Sequence, residues 1–136
     1  MKELTVSAVI ESLSAVREFV GSGLDEIGCG RSARYLIDTA VEEIFVNISS
    51  YAYGDKTGEA VIRMETEQSP PSVTIHFIDS GKPYDPLKKP DPDIKQPLKE
   101  RKRGGLGIFI VKKSMDDMYY EYKDGHNILT IKKTAV

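Results

Sequence analysis

Cysteine is almost absent from this sequence. Cys29 is the single one in 136 residues, which excludes an internal disulfide and any cysteine-based zinc site and is consistent with a reducing compartment. An excess of positive charge is also missing. The formal net charge is -2, so no global basic field draws the chain to nucleic acid. No apolar run approaches the roughly 18 uninterrupted residues of a membrane span, and Met1 to Val6 lacks the apolar stretch of a secretory leader. The expected setting is cytoplasmic, away from membranes and without direct nucleic-acid contact. His76 and His126 have no partner pattern and read as structural, and Cys29 reads as a loop or core thiol rather than a nucleophile. Internal repeats are absent, and the length fits a single domain over residues 1–136.

What is present is ordinary globular patterning, 40% hydrophobic and 29% charged. Glu3 to Ala8 reads as a first strand. Leu13, Val16, Phe19 and Val20 recur at helical spacing, after which Gly21, Gly23, Gly28 and Gly30 make Leu24 to Ile27 a poor helix interior. A second helix runs from about Ser32 to Ala52, with Leu36, Ile37, Ala40, Val41, Ile44, Phe45 and Ile48 as a broad apolar stripe. Glu59 to Thr66 and Val73 to Asp79 alternate as an antiparallel hairpin, and period two puts Val73, Ile75, Phe77 and Asp79 on one face. From Ser80 to Arg103 regular structure fails, and five of the seven prolines fall here. Such a loop inside a small domain is functional or disordered. A buried helix starts near Ile108. Met118 to Lys123 and Asn127 to Lys133 form a last hairpin about Asp124-Gly125. The order predicts an α+β fold, a two-layer α/β sandwich with a mixed, mostly antiparallel sheet and helices on one face.

Three local features carry chemistry. Glu43 and Asn47 lie four residues apart and so share a helix face. An Asn carbonyl is a hard oxygen ligand suited to Mg²⁺, and a nearby Glu can accept the proton of a group attacking a γ-phosphate. Read alone, the pair is more commonly a solvated polar pair on a helix rim. Asp79-Ser80-Gly81 ends a buried strand. Its carboxylate can accept from an exocyclic amine such as adenine N6, and Gly81 permits close approach, although strand-ending turns of this composition are common. Gly104-Gly105-Leu106-Gly107 precedes an apolar helix and can turn backbone N–H groups toward a phosphate, or serve as a hinge. It is neither a P-loop nor a dinucleotide fingerprint. The neighbouring run Lys99 to Arg103 is basic enough to neutralise a triphosphate, or to be a solvated loop.

Taken together and in order, Glu43-Ile44-Phe45-Val46-Asn47, Asp79-Ser80-Gly81-Lys82-Pro83 and Gly104-Gly105-Leu106-Gly107 resemble the N, G1 and G2 boxes of the GHKL (Bergerat-fold) ATPases. The similarity spans about residues 4 to 133, with residues 80–103 as an ATP-lid-like loop. Asp79 to Pro86 and the run from Gly104 to Phe109 look like the anti-sigma-factor serine kinase branch. The resemblance implies ATP and Mg²⁺ as ligands. In it Glu43 is the general base, Asn47 the metal ligand and Asp79 the adenine reader. Gly81 shapes the adenine end, Gly104, Gly105, Leu106 and Gly107 surround the phosphates, and Arg103 is a phosphate contact. It also implies a homodimer that sequesters a sigma factor and phosphorylates a serine on an anti-anti-sigma partner. A nucleotide-gated sequestering module with little or no turnover is the alternative. Two positions depart from the pattern: Pro83 replaces the second G1 glycine, and bulky Ile48 follows Asn47 where a small residue is common.

Overall fold

Alternation and helical periodicity account for most elements of the computed structural model, which describes residues 1–88 and 105–136. Strand β1 (Lys2–Ser7) leads through a short 3-10 turn at Ile10–Ser12 into helix α1 (Leu13–Glu26). Helix α2 (Arg31–Tyr51) follows, then strands β2 (Glu59–Gln68) and β3 (Pro71–Asp79), a second 3-10 turn at Pro86–Lys88, helix α3 (Gly105–Ser114), and strands β4 (Asp117–Lys123) and β5 (His126–Thr134). Among the described residues no helix is long and apolar enough to cross a membrane.

The five strands lie in the order β1-β2-β3-β5-β4. Every neighbouring pair is antiparallel, which corrects the expectation of a mixed sheet. The cause is the placement of β5. Strand β4 runs in the same direction as β3, but the last hairpin inserts β5 between them, so no like-directed strands become neighbours. The helix-facing side of the sheet carries Ala60, Ile62 and Met64 of β2, Val73, Ile75 and Phe77 of β3, and Leu129 and Ile131 of β5, all buried. Against them pack Val16, Val20 and Leu24 of α1, Ile37, Ala40, Val41, Ile44 and Phe45 of α2, and Val111 and Met115 of α3.

Helix α1 does not stop at its glycines. It continues through Gly21 and Gly23 to Glu26, so the segment at Leu24 is helical and fully buried. Each interior glycine costs about 1 kcal/mol relative to alanine. Burial of Val20 and Leu24 contributes roughly 1.5–3 kcal/mol apiece and outweighs that cost. The glycines also serve packing: a Cβ at Gly23 would strike the Met64 thioether, and one at Gly21 the Arg34 guanidinium. The β4–β5 turn falls at Asp124-Gly125, where both residues have positive φ, 54° and 81°, as a two-residue hairpin turn requires.

Asp116, between α3 and β4, ties the chain end to this hairpin. Its Oδ2 accepts the Thr134 backbone N–H at 2.6 Å, and Oδ1 accepts Lys133 Nζ at 3.3 Å. The Thr134 N–H, against some desolvation and with help from Lys133, holds the carboxyl below its ordinary value. A depressed carboxylate stabilises the fold above its unfolded pKa of about 3.9 and loses that contribution as pH falls through the lower folded value. Asp116→Asn is therefore expected to lower stability at neutral pH by no more than about 1 kcal/mol, because the site is half exposed. The deficit should shrink below about pH 4. Urea midpoints of both proteins between neutral pH and pH 3 check this; a deficit that persists unchanged in acid would contradict it.

Candidate functional site

The C-terminal half of α2 crosses the ends of β3 and β5, and a cleft of about 450 Å³, counting its open mouth, lies between them. Its α2 wall is Ile44, Asn47, Ile48, Tyr51 and Ala52; its sheet wall is Phe77, Asp79, Asn127 and Leu129. Lys82, Tyr84 and Pro86, from the segment leaving β3, line it with Tyr120 of β4. The lining is mostly apolar with a few convergent polar groups, the usual character of a small-molecule site.

Asp79 reaches this wall for the reason legible in its strand: it continues the row Val73, Ile75, Phe77 and is 6% exposed. Its Oδ1 accepts the Gly81 N–H at 2.9 Å and the Asn127 Nδ2 amide at 2.9 Å. Its Oδ2 has no partner among the described residues. One carboxylate oxygen is thus fixed, and the other is left to accept from a ligand. Gly81 lies against the end of α2: a Cβ there would strike the backbone of Ala52, whose carbonyl also accepts the Lys82 N–H at 3.2 Å. Tyr53 braces the same corner, its hydroxyl accepting the Ser80 N–H at 2.8 Å and donating to the Glu59 carbonyl at 2.6 Å.

Asn47 lines the cleft and is half-buried, with no hydrogen bond among the described residues. Glu43, one turn earlier, does not line it. Its carboxylate abuts Gly107, where a Cβ would collide with it, so it stands where α2 meets the start of α3. That start is earlier than Ile108: α3 begins at Gly105, and Gly105, Leu106 and Gly107 form its first turn. The first N–H groups of a helix have no partner inside it. Arg103 and Gly104 lie outside the described residues, as does most of the expected lid, residues 89–103 of 80–103. Asn47 and Asp79 therefore line one hollow; Gly81 lies against Ala52 at its edge, and Glu43 and Gly107 meet beside it.

Asn127 was not legible as a site residue. It faces inward at the head of the row Asn127, Leu129, Ile131, and its pairing opposite Asp79 depends on a strand register that no local pattern contains. A polar residue opening an apolar row is the one signal that points to it. Tyr51 and Tyr84, with ring centroids 6.2 Å apart, and Tyr120 were missed likewise. Burial pushes the Tyr120 phenol up, partly offset by the Tyr84 backbone N–H, so its hydroxyl persists as a donor to Asn127 Oδ1.

The donor set fits a purine nucleotide with a divalent ion. A buried carboxylate with one unengaged oxygen suits an amine, and three tyrosines and apolar walls suit a planar base. Among the described residues no group of three or more His, Cys, Asp or Glu could hold a metal ion. An ion beside Asn47 would therefore take most of its ligands from phosphates and water, as Mg²⁺ commonly does.

Residues 6–133 match the histidine kinase-like ATPase domain family. The serine/threonine-protein kinase BtrW of Bordetella bronchiseptica is 29% identical over 72% of this chain and 68% of its own length. The serine-protein kinase RsbW of Bacillus mycoides is 23% identical over 96% of this chain and 82% of its own. A solved structure of the Acinetobacter baumannii histidine kinase AdeS aligns with 99% of this chain and 69% of that one, at 13% identity and a TM-score of 0.49. With nearly its whole length matched, the chain belongs to the histidine kinase-like ATPase domain family.

Proposed function

We propose that the cleft binds ATP, with adenine toward Asp79 and the phosphates toward the first turn of α3, and that the chain transfers the γ-phosphoryl group to a serine of a partner protein. The observation that carries this reading is that the Asp79 carboxylate, with one oxygen engaged, shares one apolar hollow with an Asn47 that has no hydrogen bond among the described residues. Relatives named serine-protein kinases support the choice of acceptor. In the anti-sigma-factor branch that the boxes resemble, the partners are a sigma factor and an anti-anti-sigma protein, and the working form is a homodimer.

Each residue then has a task. Asp79 accepts the base amine through Oδ2, and Gly81 keeps the site's corner open. Asn47 would hold Mg²⁺, which when bound neutralises charge on the phosphate oxygens. Arg103, Gly104, Gly105, Leu106 and Gly107 would surround the phosphates, chiefly with backbone N–H groups. Glu43 accepts the serine proton as the serine Oγ bonds to the γ-phosphorus, while the bond to the bridging oxygen breaks and ADP departs. The test is incubation with labelled ATP and Mg²⁺ in the presence of a co-purified small partner, measuring bound nucleotide and label on serine. Absence of nucleotide binding at millimolar ATP would remove the proposal.

One observation favours a second reading. Glu43 lies beside the hollow and not among its lining residues, as a nucleotide-gated sequestering module with little turnover would tolerate. Gly107→Ala separates the two. An alanine in a helix gains up to about 1 kcal/mol over glycine, but here its methyl must displace the Glu43 carboxylate. The melting temperature should hold or rise slightly while phosphoryl transfer falls about tenfold or more, given the sensitivity of such chemistry to small misplacements. Transfer that survives with Glu43 displaced would count against its role as base.

A further inference from the structure

Asn127 is the most connected side chain at the base end of the cleft. It is 7% exposed. Its Nδ2 donates to Asp79 Oδ1 at 2.9 Å and Lys82 O at 3.0 Å, with Gly81 O at 3.4 Å. Its Oδ1 accepts the Tyr84 backbone N–H at 3.1 Å and the Tyr120 hydroxyl. An amide has two N–H donors and two carbonyl lone pairs, so its capacity is fully used. The flanking groups also fix which end is which: three oxygens face the nitrogen and two donors face the oxygen, so a flipped amide would oppose acceptor to acceptor on one side and donor to donor on the other. With nothing left to offer a ligand, Asn127 acts through what it holds.

What it holds is the character of Asp79. With an N–H from Asn127 and another from Gly81 on Oδ1, that oxygen is committed as an acceptor, and Oδ2 is turned to the ligand as the second acceptor oxygen. A 6-amino purine offers a donor to such an oxygen; a 6-oxo purine offers a lone pair, and both would be left unpaired in a buried site. We infer that Asn127 is a positioning residue that sets nucleobase selection, keeping Asp79 a pure acceptor so that the cleft takes a 6-amino in preference to a 6-oxo purine nucleotide. This rests on the reading of the cleft as an ATP site. The same amide fastens the carbonyls of residues 81 and 82 and the N–H of residue 84 to β5, so the first residues after β3 keep their place beside the base.

The test compares ATP with inosine triphosphate, by equilibrium binding with Mg²⁺ present, in the unaltered protein, in Asn127→Asp and in Tyr120→Phe, with melting temperatures on the same samples. A carboxyl at 127 keeps the shape but removes the N–H donors and sets two acids against each other. They cannot both ionise cheaply, so a proton is shared between them, and Asp79 becomes able to donate. The unaltered protein should favour ATP by roughly tenfold or more. In Asn127→Asp that preference should fall by about tenfold, toward parity. In Tyr120→Phe, which loses one donor to Oδ1 and leaves the fold in place, it should fall by about two- to fivefold. Equal weakening of both nucleotides with an unchanged ratio in the folded variants would overturn the inference and leave Asn127 a structural amide. Should Asn127→Asp fail to fold, an unchanged ratio in Tyr120→Phe does the same. If the unaltered protein binds ATP without preferring it, this inference falls and the ATP site stands; if it binds neither nucleotide, both fall.

Discussion

Glu43→Gln is expected to lower phosphoryl transfer to a serine acceptor by roughly 10²–10⁴-fold, the usual contribution of a positioned general base, while ATP affinity stays within a few-fold of the unaltered protein. The split follows from position. Glu43 is half-buried on α2, has no hydrogen bond among the described residues, and lies against Gly107 outside the cleft lining. Among the described residues, no group lining the hollow proposed for the base is hydrogen-bonded or ion-paired to Glu43. Glutamine preserves length and helix propensity, so stability should not move by more than about 0.5 kcal/mol. Single-turnover transfer and equilibrium binding, measured separately, distinguish loss of chemistry from loss of binding. Full transfer by the glutamine variant would reject Glu43 as the base; equal loss of affinity and rate would recast it as a binding group.

The second large effect is expected at Gly81. A methyl there strikes the Ala52 carbonyl group and Cα, all backbone atoms at the end of α2, and no side-chain rotation can relieve the clash. Either α2 or the strand end must shift. Both belong to the cleft, because Gly81 also donates its N–H to Asp79 Oδ1 and offers its carbonyl to Asn127. Gly81→Ala should cost about 1–3 kcal/mol in stability, as overpacking does, which lowers the melting temperature by roughly 3–12 °C for a domain of this size. ATP affinity should fall by about 100-fold, since several base contacts misalign together. Gly125→Ala is the informative control. Its φ is 81° and nothing lies within 4 Å of its added carbon, so it should cost about 1–2 kcal/mol through backbone strain alone and leave nucleotide binding intact. Comparable loss of affinity in both variants would mean that global stability, not the Ala52 contact, explains the first result.

The helix α2 was legible because its apolar stripe, Leu36 to Ile48, repeats over more than three turns, and its boundaries moved by a single residue at each end. Asp79 was legible because alternation assigns a face without knowledge of any partner strand. The end of α1 was not, since glycine reads locally as a breaker; the approach of Met64 and Arg34 that favours Gly23 and Gly21 exists only in three dimensions. The start of α3 was misjudged for a related reason, with Gly105 and Gly107 read as loop when they open the helix. The sheet was expected to be mixed because the insertion of β5 beside β3 leaves no mark in composition or period. Asn127 and Tyr120, both on the last hairpin, depend on that same insertion. The roles given to Glu43, Asn47, Asp79, Gly81 and the glycine run came from the resemblance of their motifs; the positions of the described ones make those roles testable.

Asp79 and Asn127 stand on adjacent strands as direct partners, each contributed by a different hairpin. A slip of β5 by one residue past β3 would reverse the facing of everything on β5, turning Asn127 outward and Ile128 toward the helices. A mis-zipped molecule of that kind would keep five strands and much of its apolar contact yet be blind to its ligand. On the proposed reading of the cleft, ligand would bind only the correctly aligned form, and mass action would draw mis-zipped chains back toward it. Nucleotide supplied during refolding would then act as a proofreader of strand alignment, raising the yield of competent protein more than it raises the yield of soluble protein.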